Sequence, residues 1–141
     1  MQLENFHFSL PIQIRWSDLD PLGHVNNAVY VTYFEIVRGH FMLHACPGWD
    51  WQRDMFLIGN VTVNFLKELK LTPDVTVVHI RTSKIGNKSF VLDYAITSKK
   101  GEEVIVHAMG HTTQIMFDLK TRSTIEIPDW VRQALAAFDG L

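Results

Sequence analysis

Between Phe6 and Trp16 the apolar residues fall on every second position. Phe6, Phe8, Leu10, Ile12, Ile14 and Trp16 share one parity, and His7, Ser9, Gln13 and Arg15 the other. A period of two is that of a strand with one buried face, so the pattern predicts a half-buried strand ending near Trp16. Pro11 lies on the polar parity and has no N–H to give to a ladder, which predicts an edge position or a bulge. The next ten residues, SDLDPLGHVN from Ser17 to Asn26, collect the types that turn chains and cap helices, and predict a loop entering a helix. From Asn27 to about Ala45, Val29, Tyr30, Val31, Tyr33, Phe34, Ile36, Val37, Phe41, Met42 and Leu43 cover most of the helical circumference, as expected for a helix surrounded by protein. Cys46-Pro47-Gly48 stops it.

Beyond the loop at Trp49 to Asp54 the pattern returns to strands, near 55–67, 74–84, 88–98 and 103–117. Pro73-Asp74, Gly86-Asn87 and Lys99-Lys100-Gly101 read as turns between them. These connections are too short for the crossover helices of a parallel sheet, so the sheet is expected to be mainly antiparallel. A short strand near 123–127 follows, and Pro128-Asp129 opens a terminal helix to about Phe138. The fold class implied is α+β, with about five to six antiparallel strands wrapped around one long central helix and a short C-terminal helix, an arrangement that suggests the hotdog architecture. Residues 1–141 read as one domain, without repeat or linker. On strand 103–117, Val104, Val106 and Ala108 occupy one face and Ile105, Met109 and Ile115 the other. Two partly apolar faces favour a homo-oligomer.

With 47% apolar and 20% charged residues the composition is globular. A formal charge of -2 provides no global positive field for nucleic acid or anionic lipid, so neither is expected as a partner. The one cysteine, Cys46, has no internal disulfide partner, and MQLENFHFSL lacks the basic and uninterrupted apolar regions of a signal peptide, which together lead to a cytoplasmic expectation. The apolar stretch 28–45 is interrupted by Glu35, Arg38, His40 and His44 and makes a poor membrane span.

Chemistry concentrates in the loop. Asp20 stands just before a helix start. A carboxylate ionised at neutral pH acts as a nucleophile or as a base toward water. The free N–H groups of a helix start carry the equivalent of about half a positive charge, suited to an oxygen that gains negative charge as a carbonyl is attacked. Gly23 permits a positive φ or a close approach to a ligand, and Pro21 stiffens the turn. The same residue types also suit any well-capped strand-to-helix connection.

The run from Arg15 to Arg38, RWSDLDPLGHVNNAVYVTYFEIVR, is more specific. Asp18, Asp20, Gly23, His24, Val25, Asn26, Asn27 and Tyr30 match in type and spacing the pattern DxDxxGHVNNxxY, and in this the chain resembles the 4-hydroxybenzoyl-CoA thioesterase-like branch of the hotdog acyl-CoA thioesterases. GNKSF, at 86–90, resembles a turn that members use near coenzyme A. The resemblance implies hydrolysis of an acyl-CoA to a free carboxylic acid and coenzyme A. It makes Asp20 the catalytic carboxylate and the Asn27 backbone N–H the donor that polarises the thioester carbonyl. It also implies a homodimer or homotetramer with the site between protomers, Gly23, His24, Val25 and Tyr30 beside the substrate, and Lys88 and Ser89 toward the pantetheine or phosphate end, contributed by the same or the neighbouring chain. No cofactor is implied. An acyl-acyl-carrier-protein thioesterase and a non-catalytic acyl-thioester binding protein are the alternatives.

Other suggestive residues have plainer readings. His40 and His44 lie i to i+4 without the glutamate of a zinc-binding HExxH helix, and His107 and His111 share a strand face, so no metal is expected. Asp18 is expected to bond local backbone N–H groups. Glu35 is expected to pair at the surface with Arg38, three residues on.

Overall fold

A computed structural model describes residues 3–141. Met1 and Gln2, the first residues of the segment read for a leader and of the 1–141 domain, lie outside the described residues. The strands are β1 (Phe8–Ile12), β2 (Phe56–Phe65), β3 (Thr76–Ile85), β4 (Ser89–Lys100), β5 (Glu103–Asp118) and β6 (Ser123–Thr124), and the helices are α1 (Val29–Ala45) and α2 (Asp129–Asp139). They form one antiparallel sheet in the order β1-β3-β4-β5-β2, with β6 paired to the end of β5. This is the hotdog arrangement expected from the order of elements.

β1 is an edge strand, which explains how Pro11 is accommodated opposite Val77. It ends at Ile12 rather than near Trp16. Ile14 still points into the core, but the chain then leaves the sheet for a 3-10 turn, Trp16–Asp18, and Trp16 is 82% exposed. The turn is made by Asp18, whose carboxylate accepts the Arg15 N–H at 2.9 Å. That bond overrides the alternation that would have kept Trp16 inside.

One face of α1 packs into the curl of the sheet. Tyr33, Phe34, Val37, Phe41 and Met42 are buried, and Phe34 stacks on Tyr94 of β4 with ring centroids 4.2 Å apart. The expectation that protein surrounds the helix fails on its other flank: Thr32, Glu35, Ile36, His40 and Leu43 are exposed, because α1 lies beneath the middle of the sheet and none of the described residues covers its side toward β2. β2 is the second edge, and its outer backbone groups are unpaired with any described strand. Leu57, Ile58, Val61 and Phe65 are exposed along it. Among the described residues, no helix is long and apolar enough to cross a membrane.

Candidate functional site

Two aspartates start the loop, and the structure treats them differently. Asp18 is buried, bonded to the Arg15 N–H, to the Arg15 guanidinium at 3.0 Å and to the Tyr33 hydroxyl at 2.8 Å. Burial pushes its carboxyl up, but these donors outweigh it and hold the group below the usual carboxylate range. The same contact, after burial itself, raises the Tyr33 phenol. Asp18 is thus the local anchor that its position suggested.

Asp20 is half-buried. Its Oδ1 accepts the Leu22 N–H at 2.9 Å and the His24 N–H at 3.1 Å, and its backbone closes the same turn through Asp20 N–H to His24 O and Gly23 N–H to Asp20 O. Gly23 takes φ +80, a left-handed conformation that a side chain would strain. Those two backbone bonds fix the carboxylate's direction through Oδ1, while Oδ2 has no hydrogen-bond partner among the described residues.

A cavity of about 200 Å³ opens at this point. It is lined by Asp20, His24, Val25, Asn27 and Tyr30 from the loop and helix start, and by Phe65, Leu66, Lys67 and Glu68 from the chain leaving β2. Five of the eight residues singled out in the sequence therefore meet around one opening. Gly23 shapes the turn behind it. The start of α1 falls at Val29, two residues later than expected, because Asn26 ends the loop: its side chain accepts the Ala28 N–H and its carbonyl accepts the Val29 N–H. The Asn27 N–H, between these, has no partner among the described residues, and Asn27 lines the cavity. A carboxylate with a free oxygen and a residue with an uncommitted N–H on one small cavity suit attack on a carbonyl.

Lys88 and Ser89 do not join this group. Their turn is held at the far end of the sheet by Arg132 of α2, which donates to Gly86 O and Asn87 O, and by the Ile127 N–H, which donates to Asn87 O. Phe65 pairs with Ala108 on β5, whereas Ser89 pairs with Ile115. Seven residues of strand separate those rows, about 23 Å at ~3.3 Å per residue.

The opposite wall was not legible in the sequence. His24 Nε2–H donates to Glu68 Oε2 at 2.8 Å, Lys70 holds the other Glu68 oxygen at 3.0 Å, and the Val25 N–H reaches Leu69 O. The Lys70 contact first, and His24 with it, lowers the Glu68 carboxyl. Behind this wall sits buried His107. Its carbonyl accepts the Leu66 and Lys67 N–H groups, its Nδ1–H donates to Glu68 O at 3.0 Å, and Ser98 Oγ–H donates to its Nε2 at 2.7 Å. A carbonyl only accepts, so the Glu68 contact fixes the tautomer. Among the described residues no group of three His, Cys, Asp or Glu side chains is placed to hold a metal.

The expected surface pair of Glu35 and Arg38 is not formed. Arg38 is only 7% exposed and donates to the Tyr94 hydroxyl at 3.1 Å, and that hydroxyl is itself bonded to Thr112. Glu35 stays in solvent, because Arg38 turns toward the sheet.

A family model described as the thioesterase-like superfamily matches residues 14–135. The chain belongs to that superfamily. Its class as a thioester hydrolase follows. This thioesterase is 25% identical over 127 residues to the long-chain acyl-CoA thioesterase FadM of Escherichia coli, covering 88% of the chain and 93% of FadM. It is 28% identical to the chloroplastic acyl-acyl carrier protein thioesterase ATL3 of Arabidopsis thaliana, over 96% of the chain and 70% of ATL3. A Thermus thermophilus thioesterase solved with coenzyme A and zinc superposes with a TM-score of 0.82 at 27% identity, covering 98% of each chain.

Proposed function

We propose that this single domain is an acyl-CoA thioesterase in which Asp20 supplies the reacting carboxylate and the Asn27 N–H stabilises the oxyanion. One observation carries the reading: Asp20, with an uncommitted carboxylate oxygen, and Asn27, with an uncommitted backbone N–H, line the same cavity within the family-matching span. Asp20 Oδ2 either attacks the thioester carbonyl, giving a mixed anhydride that water then opens, or takes a proton from the attacking water. In both routes the carbonyl oxygen gains charge beside Asn27, and the electron pair of the breaking C–S bond leaves with coenzyme A as a thiolate. His24, held by Glu68, and Tyr30 border the acyl group. FadM and the coenzyme A-bound thioesterase support an acyl-CoA substrate. The similarity to ATL3 favours one second reading, an acyl-carrier-protein ester. A cytoplasmic setting suits either substrate.

The active unit in this reading is a homodimer built on β2, alone or within a homotetramer. Two copies of an open edge strand pair antiparallel about a two-fold axis. Centred on β2 near Val61, that axis places Phe65 beside Leu57 of the partner subunit. The partner's row then continues through its Ile115 to its Ser89, three strand spacings or about 14 Å away at ~4.8 Å each. The turn that is out of reach within one chain so comes to the mouth of the other chain's cavity, where Lys88 and Ser89 of the partner subunit meet the pantetheine or phosphates.

The test is free-thiol release from short, medium, long and aromatic acyl-CoAs, alongside the Asp20→Ala variant. Cys46 gives little background in the folded protein, since burial, with a smaller contribution from Asp54, pushes its thiol up to about 12. Turnover that falls at least ~100-fold in the variant supports the reading. Activity that survives in Asp20→Ala overturns the assignment of the carboxylate. Turnover of carrier-protein esters alone favours the second reading.

A further inference from the structure

After β2 the chain forms a strap, residues 66–70, that belongs to neither β2 nor β3. Leu66, Lys67 and Glu68 line the cavity, and on its other side the strap meets the loop that carries Asp20, where the Val25 N–H donates to Leu69 O at 2.7 Å and His24 donates to Glu68 Oε2 at 2.8 Å. One residue holds it from behind. The pairing of β5 with β4 passes from Ala108 opposite Ile96 to Val106 opposite Thr97, which makes His107 the extra residue of a β-bulge. Its carbonyl accepts the Leu66 N–H at 2.8 Å and the Lys67 N–H at 3.1 Å, and its Nδ1–H donates to Glu68 O at 3.0 Å. Three consecutive strap residues are thus tied to a single histidine, itself only 7% exposed. The ring suits the task. A neutral imidazole presents one donor and one acceptor, here to the Glu68 carbonyl and the Ser98 hydroxyl, and an apolar residue would take the partner from both.

We propose that His107 is a positioning residue of the thioesterase site: it fixes the backbone of Glu68, so that the Glu68 carboxylate, reaching across to His24, holds that ring and the turn around Asp20 in place. The proposal rests on the function proposed above and adds to it a residue that touches neither substrate nor reacting atoms. The Glu68 side chain is 53% exposed, and its other oxygen is on Lys70. Exposed ion pairs on long side chains constrain geometry weakly by themselves, so the grip on His24 is only as firm as the main chain from which Glu68 reaches. His24 passes the constraint on directly, because its N–H donates to Asp20 Oδ1 and its carbonyl accepts the Asp20 N–H. A strap that shifts therefore carries Asp20 with it, and a misplacement of about 1 Å at a reacting group costs on the order of 100-fold in rate.

The experiment joins NMR of the histidine rings to kinetics. In alkaline buffer the intact protein should show His107 as the Nδ1–H tautomer, the less populated form of a free imidazole; the Nε2–H form overturns the proposal whatever the turnover. His107→Leu should lower kcat of the folded fraction ~10 to 100-fold and move the ring signals of His24. His107→Asn places an amide N–H where Nδ1–H stood, and should return kcat to within ~3-fold of the intact protein with the His24 signals in place. His107→Gln, whose amide reaches toward Ser98 instead, replaces His107→Leu if the latter does not fold. Because His107 acts through Glu68, the same substitution made in Glu68→Ala should cost no more than a further ~2-fold. An equal loss in both backgrounds, or full kcat with unmoved His24 signals in His107→Leu, overturns the positioning role. Turnover that survives in Asp20→Ala overturns the carboxylate assignment instead and leaves the His107 and Glu68 comparison standing.

Discussion

Asp18 and Asp20 are two residues apart, of the same chemical type and in the same motif, yet they stand in opposite situations. Asp18 is buried with three hydrogen bonds from Arg15 and Tyr33 committed to it. Asp20, which lines a cavity, has one oxygen tied into a turn and the other without a hydrogen-bond partner among the described residues. A carboxylate whose acceptors are all satisfied stabilises the place where it sits. One left half-satisfied retains reactivity, and the turn around it has to be stabilised by something else. In this loop Asp18 provides that stability, and in the proposed mechanism Asp20 uses it.

The contrast can be broken in order of expected size. Asp20→Asn keeps an oxygen for the Leu22 and His24 N–H groups but removes the charge. Turnover per molecule should fall ~10² to 10⁴-fold, about 3–5 kcal/mol in the barrier, while the melting temperature stays near wild type. A melting temperature that collapsed together with activity would make Asp20 a structural residue. Asp18→Ala should do the reverse. Chemical denaturation should show a loss of about 2–3 kcal/mol, since charge-assisted bonds are removed and the Tyr33 hydroxyl is stranded, with kcat of the folded fraction within a few-fold of normal. Gly23→Ala strains a left-handed residue and should cost about 1 kcal/mol in the same measurement, with kcat reduced as well, because that turn aims Asp20. The smallest effect is in acid. Asp18 titrates below the ordinary range when folded, so the stability it contributes is complete above that range and is lost as pH falls through its folded value. The stability gap between wild type and Asp18→Asn should therefore be constant near neutrality and narrow below about pH 4.

Much of this was legible in the chain. The alternation after Phe6, the turn-forming run and the nearly all-apolar helix predict the order of elements, and the loop residues predict five members of the cavity wall because they are close in sequence. What the sequence hid depends on distant residues. Trp16 keeps the parity of a buried residue, but the Asp18 carboxylate captures the Arg15 N–H and turns it outward. Glu68 and Lys70 look like ordinary charges after a strand, and only the fold brings them to His24. Arg38 resembles a surface partner for Glu35 until Tyr94, far away in sequence, draws it inward. Lys88 and Ser89 resemble site residues by motif, and it takes the sheet to show that one copy cannot deliver them to its own cavity.

β2 leads without interruption from the open edge of the sheet into the Phe65 to Glu68 wall of the cavity. In the proposed β2 dimer the partner's strand therefore adjoins the wall that holds His24 through Glu68. In that reading, assembly and catalysis share one segment of backbone. The expected consequence is an activity per chain that depends on how much protein is present, falling on dilution below the dissociation constant of the proposed pair and returning on concentration, so that the amount of enzyme would set both how many sites exist and what fraction of them is complete.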